Sequence, residues 1–401
     1  MWEGGGPFDI PLEVLRRRTS AKWREAPQDV LPLWVAEMDV MLAEPVARAL
    51  HDAVALGDTG YAHGRVYQEA LCDFAAARWG WSFPPARAAL VPDVMRGVVE
   101  LLRLVTAPGS AVVVTPPVYP PFYAFVEHMG RRVVEAPLSP AGRLDPASLE
   151  DALGAAAGAG PAALLLANPH NPTGAVHSMD ELQQVASLAG RFAVRVVADE
   201  IHAPLVLSGA RFTPYLSVPG TADAFSLMSA SKGWNLAGVK AAVVVAGEEA
   251  AGDLARMPEE VSHGPSHLGV VAHTAALRHG GDWLDDVLAA LDRNRSLLGD
   301  LLLRYLPDIR WRPPEGTYLA WLDCRGLAVD GEAAGGHGDT PGQVRAGRGP
   351  AAAFLDEGRV LLSPGSAFGP GGEGFVRLNF AASSVTLTDA VRRMSTVAHR
   401  R

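Results

Sequence analysis

The chain has few cysteines and no excess of basic charge. Its two cysteines, Cys72 and Cys324, lie far apart in 401 residues and outside any CxxC spacing. This argues against a disulfide framework and a zinc site, and we expect two reduced thiols. With 35 Lys and Arg against 44 Asp and Glu, the formal net charge is -9. A nucleic-acid binder usually carries a basic surface, so we expect no nucleic-acid partner.

Long apolar runs and targeting signals are also missing. No uninterrupted apolar stretch reaches the roughly 18 residues that a transmembrane helix needs. The first residues do not combine a basic region with an apolar one, as a secretory signal would. The composition, 48% hydrophobic and 20% charged, is that of an ordinary globular protein. We therefore expect a soluble, cytoplasmic protein without a membrane partner.

What the sequence does contain is a series of short apolar runs of strand length. They alternate with helix-length stretches such as 95–106 and 180–189. Runs that are apolar on both faces and separated by helices predict an α/β fold, with a parallel sheet covered on both sides. The runs lie at 111–114, 162–166, 194–198, 224–228 and 241–245.

The length and a change of pattern near residue 283 predict two domains. An amphipathic stretch at 283–305 is followed by strand-like runs at 316–322 and 374–380. Residues 330–350 are mostly Gly, Ala and polar, so we expect a mobile surface insertion there. The predicted division is an N-terminal segment that packs on the small domain, a large domain and a small α/β C-terminal domain, at 1–44, 45–282 and 283–401.

Four polar or aromatic side chains come just after apolar runs: Tyr119, Asn171, Asp199 and Lys232. In α/β sheets, ligands bind beyond the carboxyl ends of the strands. An aromatic face, an amide, a carboxylate and an amine at that edge are what a protein needs to hold pyridoxal 5'-phosphate (PLP). An imine-forming lysine with an acidic partner for the pyridine nitrogen is typical of PLP sites.

Each of these residues also has an ordinary structural interpretation. Ser229 and Lys240 could contact a phosphate while Lys232 forms the imine, whereas a polar turn would explain the serine but not two lysines. Asp199 could pair with a protonated pyridine nitrogen, or it could cap a helix or form a structural ion pair. His202 could reach the phenolic oxygen of the cofactor, or it could be a satisfied core histidine.

The remaining candidates lie on a stiff turn or in a strand. Asn171 follows a buried strand in a turn with two Asn-Pro steps, which leaves its amide free to donate to a ring oxygen. Prolines flank Tyr119, which suits it to stack on a flat ring or to pack under the turn. Arg377 has apolar neighbours, and its guanidinium would bind either the carboxylate of an amino-acid substrate or a structural partner.

Taken together, these residues resemble fold-type I PLP enzymes of the aspartate aminotransferase superfamily, and among them the MalY/PatB-type cystathionine β-lyases (C–S lyases). The resemblance implies a mostly parallel seven-stranded sheet between helices and a smaller α/β C-terminal domain. The motifs that carry it are residues 34–39, 60–61, 168–174, 199–202, 229–240, 315–318 and 377–381.

The resemblance also implies a role for each candidate around the cofactor ring. Lys232 would be the imine lysine and the base, with Asp199 at the pyridine nitrogen and Asn171 at the ring oxygen. Tyr119 would stack on the ring, and Arg377 would bind the substrate carboxylate.

At the phosphate, the resemblance implies Ser229, Lys240 and the backbone amides of Val94 and Met95 at the start of a helix. Tyr61 would reach the phosphate of the neighbouring subunit. A homodimer with shared active sites follows from that role.

Three residues depart from the pattern of that group. Asp93 replaces a glycine and Arg96 a proline beside the expected phosphate site, and Gly233 replaces a larger residue after the lysine. An acid is unfavourable beside a phosphate, so we expect that the Asp93 side chain points away or that the local contact differs. With the insertion, these changes leave the native substrate open.

The resemblance favours α,β-elimination, in which a sulfur-containing amino acid such as a cysteine S-conjugate or cystathionine yields a thiol, pyruvate and ammonia. An aminotransferase on the same scaffold is the alternative, as are decarboxylation and oxidative deamination. A non-catalytic regulator with a PLP domain is a third possibility, disfavoured because no basic helix-turn-helix extension precedes Pro7.

Overall fold

The computed structural model describes residues 5–327, 329 and 348–398. The described chain starts with short elements: α1 (Leu12–Leu15), α2 (Ala21–Arg24) and β1 (Leu31–Pro32). Leu15 of α1 and Trp23 of α2 form a small apolar cluster with Ile10. Leu31 of β1 packs instead in a core that is built largely from the C-terminal third of the chain.

A seven-stranded sheet forms the centre of the next region, with the strand order β2-β8-β7-β6-β5-β3-β4. Strand β8 runs antiparallel to both of its neighbours, and the remaining pairs are parallel. The strands are β2 (Ala88–Val91), β3 (Ala111–Val114), β4 (Arg132–Glu135), β5 (Ala163–Ala167), β6 (Arg195–Asp199), β7 (Phe225–Met228) and β8 (Ala242–Ala246).

Helices cover both faces of this sheet. Val112 and Val114 pack in one core and Val113 in another, because successive side chains of a strand point to opposite faces. Helix α8 begins with a capping box between Ser178 and Glu181. The helices are α3 (Glu44–Leu56), α4 (Val66–Trp79), α5 (Val94–Val105), α6 (Pro121–His128), α7 (Pro146–Ala157), α8 (Met179–Phe192), α9 (Ala251–Leu254), α10 (Glu259–Ser262) and α11 (His267–His279).

The C-terminal third forms a second layer around a four-stranded antiparallel sheet of order β12-β13-β10-β9. Strand β11 pairs in parallel with β1, so Leu31 lies beside Val360. The elements are α12 (Gly281–Tyr305), β9 (Arg310–Trp311), β10 (Leu319–Asp323), α13 (Pro350–Asp356), β11 (Val360–Leu361), β12 (Ser363–Pro364), β13 (Phe375–Asn379) and α14 (Ser384–Ala398).

The predicted fold class is confirmed, with two corrections of detail. All five apolar runs are strands with bounds within one residue of the prediction. The prediction that the run at 241–245 joins a parallel sheet is wrong, because a loop rather than a covering helix links β8 to β7 and the two strands are antiparallel. Strands β2 and β4 are not among the predicted runs, since both lie at sheet edges and are partly exposed.

Three further expectations concern the insertion, membrane-spanning helices and the cysteines. Residues 330–347 of the predicted insertion lie outside the described residues. Within the described part of the chain, no helix has both the length and the apolar character that a membrane span requires. Cys72 and Cys324 are both present as thiols.

Candidate active site

The predicted site residues meet at one edge of the seven-stranded sheet. Tyr119, Asn171 and Asp199 follow or end β3, β5 and β6, and Lys232 follows β7. Because these strands are parallel, their carboxyl ends share an edge. Strand β8 is antiparallel, so Lys240, which precedes it, returns to the same edge.

Lys232 is held by the N-terminal segment. Its Nζ donates a hydrogen bond to the carbonyl oxygen of Ala36 at 2.8 Å, and the hydroxyl of Tyr318 donates to the same oxygen at 2.9 Å. Burial, followed by the charge of Arg377, lowers the pKa of Lys232 to about 8. A substantial fraction of this amine is therefore neutral, and so nucleophilic, slightly above neutral pH.

Asp199 is a buried carboxylate without a cation at ion-pair distance among the described residues. One oxygen accepts a hydrogen bond from the backbone N–H of Ile201 at 3.1 Å. Burial raises the pKa of Asp199 to about 6, although the nearby Lys232 opposes the shift. A cationic or hydrogen-bonding ligand at this position would remove the cost of burying the charge.

Asn171 and Arg377 are brought into direct contact across 206 residues of sequence. Nη1 of Arg377 donates to Oδ1 of Asn171 at 2.9 Å, which leaves the Asn171 NH₂ group to donate elsewhere. Nη2 donates to the carbonyl oxygen of Trp34 at 3.0 Å and to the hydroxyl of Ser363 at 3.3 Å. The contact orients the Asn171 amide.

The hydrogen-bond partners of Arg377 among the described residues are uncharged oxygens. Its Nε is buried and has no hydrogen-bond partner, and no carboxylate pairs with it in the part of the chain that the structure describes. The guanidinium lies over the ring of Phe368 at 4.9 Å, and burial lowers the pKa of Arg377 to about 10. The structural ion pair considered from the sequence is not present among these residues, and the free donor is suited to a ligand carboxylate.

Tyr119 and His202 complete the buried end of the site. Burial, together with the charge of Asp199, raises the pKa of Tyr119 to about 12, so its hydroxyl stays protonated. Burial keeps the pKa of His202 well below its ordinary value, and the imidazole is neutral. Nδ1 of His202 has no partner among the described residues, so it is not a fully satisfied core histidine.

The predicted phosphate end lies at the start of α5. Val94 and Met95 are the first two residues of this helix, whose first N–H groups have no partner within the helix. Ser229 donates its hydroxyl to the carbonyl of Ala241 at 2.7 Å. The Lys240 ammonium lies 2.7 Å from an oxygen of Asp93, and its side chain is 61% exposed.

Tyr61 is the one predicted residue that the single chain does not bring to the site. Its side chain is 84% exposed, and the ring contact found for it is with His263, at 6.1 Å between centroids. Exposed apolar side chains accompany it along the same part of the chain, at Met41, Leu42, Val54, Leu56 and Val66.

Sequence reasoning missed Glu200, which supports the site. This residue is fully buried and accepts hydrogen bonds from Asn168, Ser226 and the N–H of Tyr215. Burial raises the pKa of Glu200 to about 7. These contacts connect Glu200 to the segment after β5, to the segment between β6 and β7, and to strand β7, next to Asp199. The motif at 199–202 contains Glu200, and its position next to Asp199 at the end of an apolar run was the available clue.

Gly233 is explained by its packing. A Cβ atom on this residue would lie 3.0 Å from Cβ of Pro204, in the turn that follows Asp199. A larger residue here would require that turn to shift. Gly233 therefore lets the loop that carries Lys232 approach the turn after β6 closely.

Comparisons with known proteins agree with the fold. The family model described as aminotransferase class I and II matches residues 29–394. The chain belongs to this family. A Mycobacterium leprae (strain TN) protein named "Putative cystathionine beta-lyase" is 58% identical to this family member over 390 residues, with 96% of each chain covered.

Two further comparisons cover nearly the whole length of this family member. Cystathionine β-lyase PatB of Bacillus subtilis (strain 168) is 33% identical over 385 residues, which cover 94% of this chain and 95% of PatB. A solved structure described as a "putative plp-dependent beta-cystathionase" of Corynebacterium diphtheriae is 33% identical. It has a TM-score of 0.88 and covers 99% of this chain and 100% of that one.

Proposed function

We propose that this protein is a PLP-dependent C–S β-lyase that cleaves a cysteine S-conjugate or cystathionine to a thiol, pyruvate and ammonia. The observation that carries the proposal is the buried Asp199 carboxylate, which lacks a cation partner in the described residues, near a lysine with a lowered pKa. The relatives named as cystathionine β-lyases support the reaction type.

The residues at the buried end fit a flat, polar cofactor. Lys232 would carry PLP covalently, Asp199 would pair with its pyridine nitrogen, and Asn171 and His202 would face its ring oxygen. The NH₂ group of Asn171 is available, and Nδ1 of His202 is unpartnered among the described residues. Tyr119 would lie against the ring. When bound, PLP would act as an electron sink for negative charge at the substrate Cα.

The phosphate would lie at the other end of the site. We propose Ser229, Lys240 and the backbone amides of Val94 and Met95 as its ligands, together with Tyr61 of a second copy of the chain. A helix N-terminus offers unpaired N–H groups and a positive dipole end to an anion. The support for these contacts is position and family resemblance.

The substrate would be an amino acid held by its carboxylate at Arg377. The buried Nε of this arginine has no partner among the described residues, and its other contacts are to neutral oxygens. A substrate carboxylate would supply the missing charge and accept two parallel hydrogen bonds. This binding would place the Cα–H bond near Lys232.

Lys232 would then move the proton that the reaction requires. Once the substrate amine has displaced Lys232 from the cofactor, the freed amine, whose pKa burial lowers to about 8, can accept the Cα proton, and the electron pair of the C–H bond then expels sulfur from Cβ. The thiolate leaves and takes up a proton. The remaining three-carbon fragment is hydrolysed to pyruvate and ammonia.

The reaction is tested with an S-alkyl cysteine and the purified protein loaded with PLP. We expect equal amounts of free thiol and pyruvate, without any added amino acceptor. A transaminase would instead release no thiol and would need a keto acid as acceptor. That outcome would exclude the lyase and favour the aminotransferase alternative.

We also propose a homodimer with shared sites. Tyr61 and the apolar side chains near it are exposed in the single chain, and large exposed apolar patches mark interaction surfaces. Mixing inactive Lys232→Ala and Tyr61→Ala chains tests this directly. Hybrid dimers would contain one intact site, so activity should return only after subunit exchange, and no recovery would contradict shared sites.

The remaining assignments are the division of the chain and the location of the protein. We keep the proposed regions 1–44, 45–282 and 283–401, and note that α12 begins at Gly281. We propose a cytoplasmic enzyme that acts on a small molecule, without nucleic-acid or membrane partners. Limited proteolysis would check the division, with cleavage expected near residues 44 and 282, at the two proposed boundaries.

A further inference from the structure

Asp93 occupies the predicted phosphate end of the site with both of its carboxylate oxygens. It is the N-cap of α5, where Oδ1 accepts a hydrogen bond from the backbone N–H of Arg96 at 2.8 Å. Its Oδ2 lies 2.7 Å from Nζ of Lys240. The carboxylate therefore binds one N–H group at the start of α5 that has no partner within the helix. It also binds the Lys240 ammonium, which we expect to bind the phosphate.

The Asp93 side chain does not turn away from the site. Its negative charge is one of the causes that raise the pKa of Tyr119, along with burial and Asp199. From the sequence we expected either that the Asp93 side chain points away or that the local contact differs. The second applies, because Asp93 pairs with Lys240. The resemblance implies glycine at this position in the group, so the carboxylate of Asp93 is a departure from the pattern of that group.

We propose that Asp93, at the N-terminus of α5, is a built-in competitor of the PLP phosphate for Lys240, and that it thereby weakens and tunes cofactor binding. The inference rests on the proposed phosphate site. A phosphate would need the same two kinds of donor, namely helix N–H groups and the ammonium. It would also lie close to the carboxylate, and like charges at such a distance repel.

Cofactor binding must therefore redirect Lys240. The Lys240 side chain is 61% exposed and flexible enough to move, whereas the side chain of Asp93 is 27% exposed and fixed by its cap. The ammonium would be shared between the carboxylate and the phosphate. Because the pair is partly in water, the expected effect on PLP affinity is modest, about fivefold to tenfold.

The test measures PLP affinity of the apoprotein by quenching of tryptophan fluorescence. Asp93→Asn keeps an oxygen that can cap Arg96 but removes the charge. We expect this variant to bind PLP about fivefold to tenfold more tightly than wild type. Lys240→Met should weaken binding, and it should do so by a larger factor in the Asp93→Asn background, where the ammonium is no longer shared.

Two controls separate the phosphate effect from other causes. Pyridoxal lacks the phosphate, so its affinity should not change in Asp93→Asn. Asp223→Asn also removes one carboxylate, but at the opposite edge of the sheet, beside Arg195, and should leave PLP affinity unchanged. Thermal unfolding of each apoprotein shows that the variants are folded.

Several outcomes would overturn the inference. PLP affinity of Asp93→Asn that is equal to or weaker than that of wild type would do so, as would an equal gain for pyridoxal. If Lys240→Met costs the same factor in both backgrounds, the two residues do not compete. If wild-type apoprotein binds no PLP, the proposed function fails as well, whereas normal PLP binding with the other outcomes leaves that function intact.

Discussion

The charges at one end of the candidate site are buried and lack charged partners, and those at the other end are accessible and paired. Asp199 and Arg377 have no ion-pair partner among the described residues, and burial shifts their pKa values. Asp93 and Lys240 pair with each other at 2.7 Å near the surface. The buried end therefore gains most from a ligand, because a ligand there removes a desolvation cost.

The largest expected effect comes from removing the amine at the buried end. Lys232→Ala should reduce lyase activity by at least about 10³-fold, because the same side chain carries the cofactor and moves the proton. The visible absorbance of bound PLP should also change from that of an imine to that of free cofactor. Activity within about tenfold of wild type would contradict the proposed difference between the two ends, since the buried end would then not hold the reactive group.

Arg377 tests whether the free donor at the buried end binds a carboxylate. Arg377→Lys keeps the positive charge but cannot form a bidentate hydrogen bond with a carboxylate. We therefore expect kcat/KM for an S-alkyl cysteine to fall about 10- to 100-fold. The corresponding S-alkyl cysteamine has no carboxylate and serves as the matched control. A similar loss for both compounds would mean that Arg377 has a structural role only.

Burial of the Asp199 carboxyl makes the free energy of unfolding depend on pH in a defined direction. Burial raises its pKa from 3.8 to about 6, so the folded protein retains a proton that the unfolded chain loses. The stability contributed by the protonated carboxyl is complete below pH 3.8 and is lost as pH rises through about 6. With a neutral amide in place of this carboxyl, the free energy of unfolding would not have this dependence on pH.

Apo Asp199→Asn should therefore become more stable relative to wild type as pH rises from about 4 to about 7, by about 2–3 kcal/mol. The free energy of unfolding in urea at both pH values measures this change. We also expect this variant to bind PLP more weakly than wild type does. A stability difference that stays constant with pH would show that this carboxylate is not destabilised by burial.

Tyr119 lies at the buried end but has no charge at neutral pH, because burial raises its pKa, so its substitutions should have the smallest effects. Tyr119→Phe keeps the ring face and should bind PLP within about twofold of wild type. Tyr119→Ala should bind about tenfold more weakly. Fluorescence titration compares the two variants. An equal loss in both would assign the contact to the hydroxyl instead of the ring.

The contrast between buried and exposed parts of the molecule also explains which elements could be predicted from the sequence. Strands β5 and β6 are buried on both faces, so their apolar runs located them within one residue, together with Asn171 and Asp199 after them. Edge strands β2 and β4 are partly exposed and carry no such signal. The direction of β8 depends on how it pairs, which an apolar run does not record.

Contacts between distant residues could not be predicted for a related reason. The Asp93–Lys240 pair spans 147 residues, and the bond from Lys232 to Ala36 spans 196. Each depends on how the two segments are brought together in three dimensions. The resemblance implies a phosphate role for Lys240 but gives no indication that its ammonium pairs with Asp93.

The carbonyl oxygens of the N-terminal segment have a consequence for the order of folding. Trp34 accepts from Arg377, Ala36 accepts from Lys232, and Leu31 lies beside Val360 in a two-stranded sheet. Residues from the beginning, middle and end of the chain must meet before the site has its shape. During synthesis, the reactive amine therefore reaches its final position only after almost the whole chain has left the ribosome.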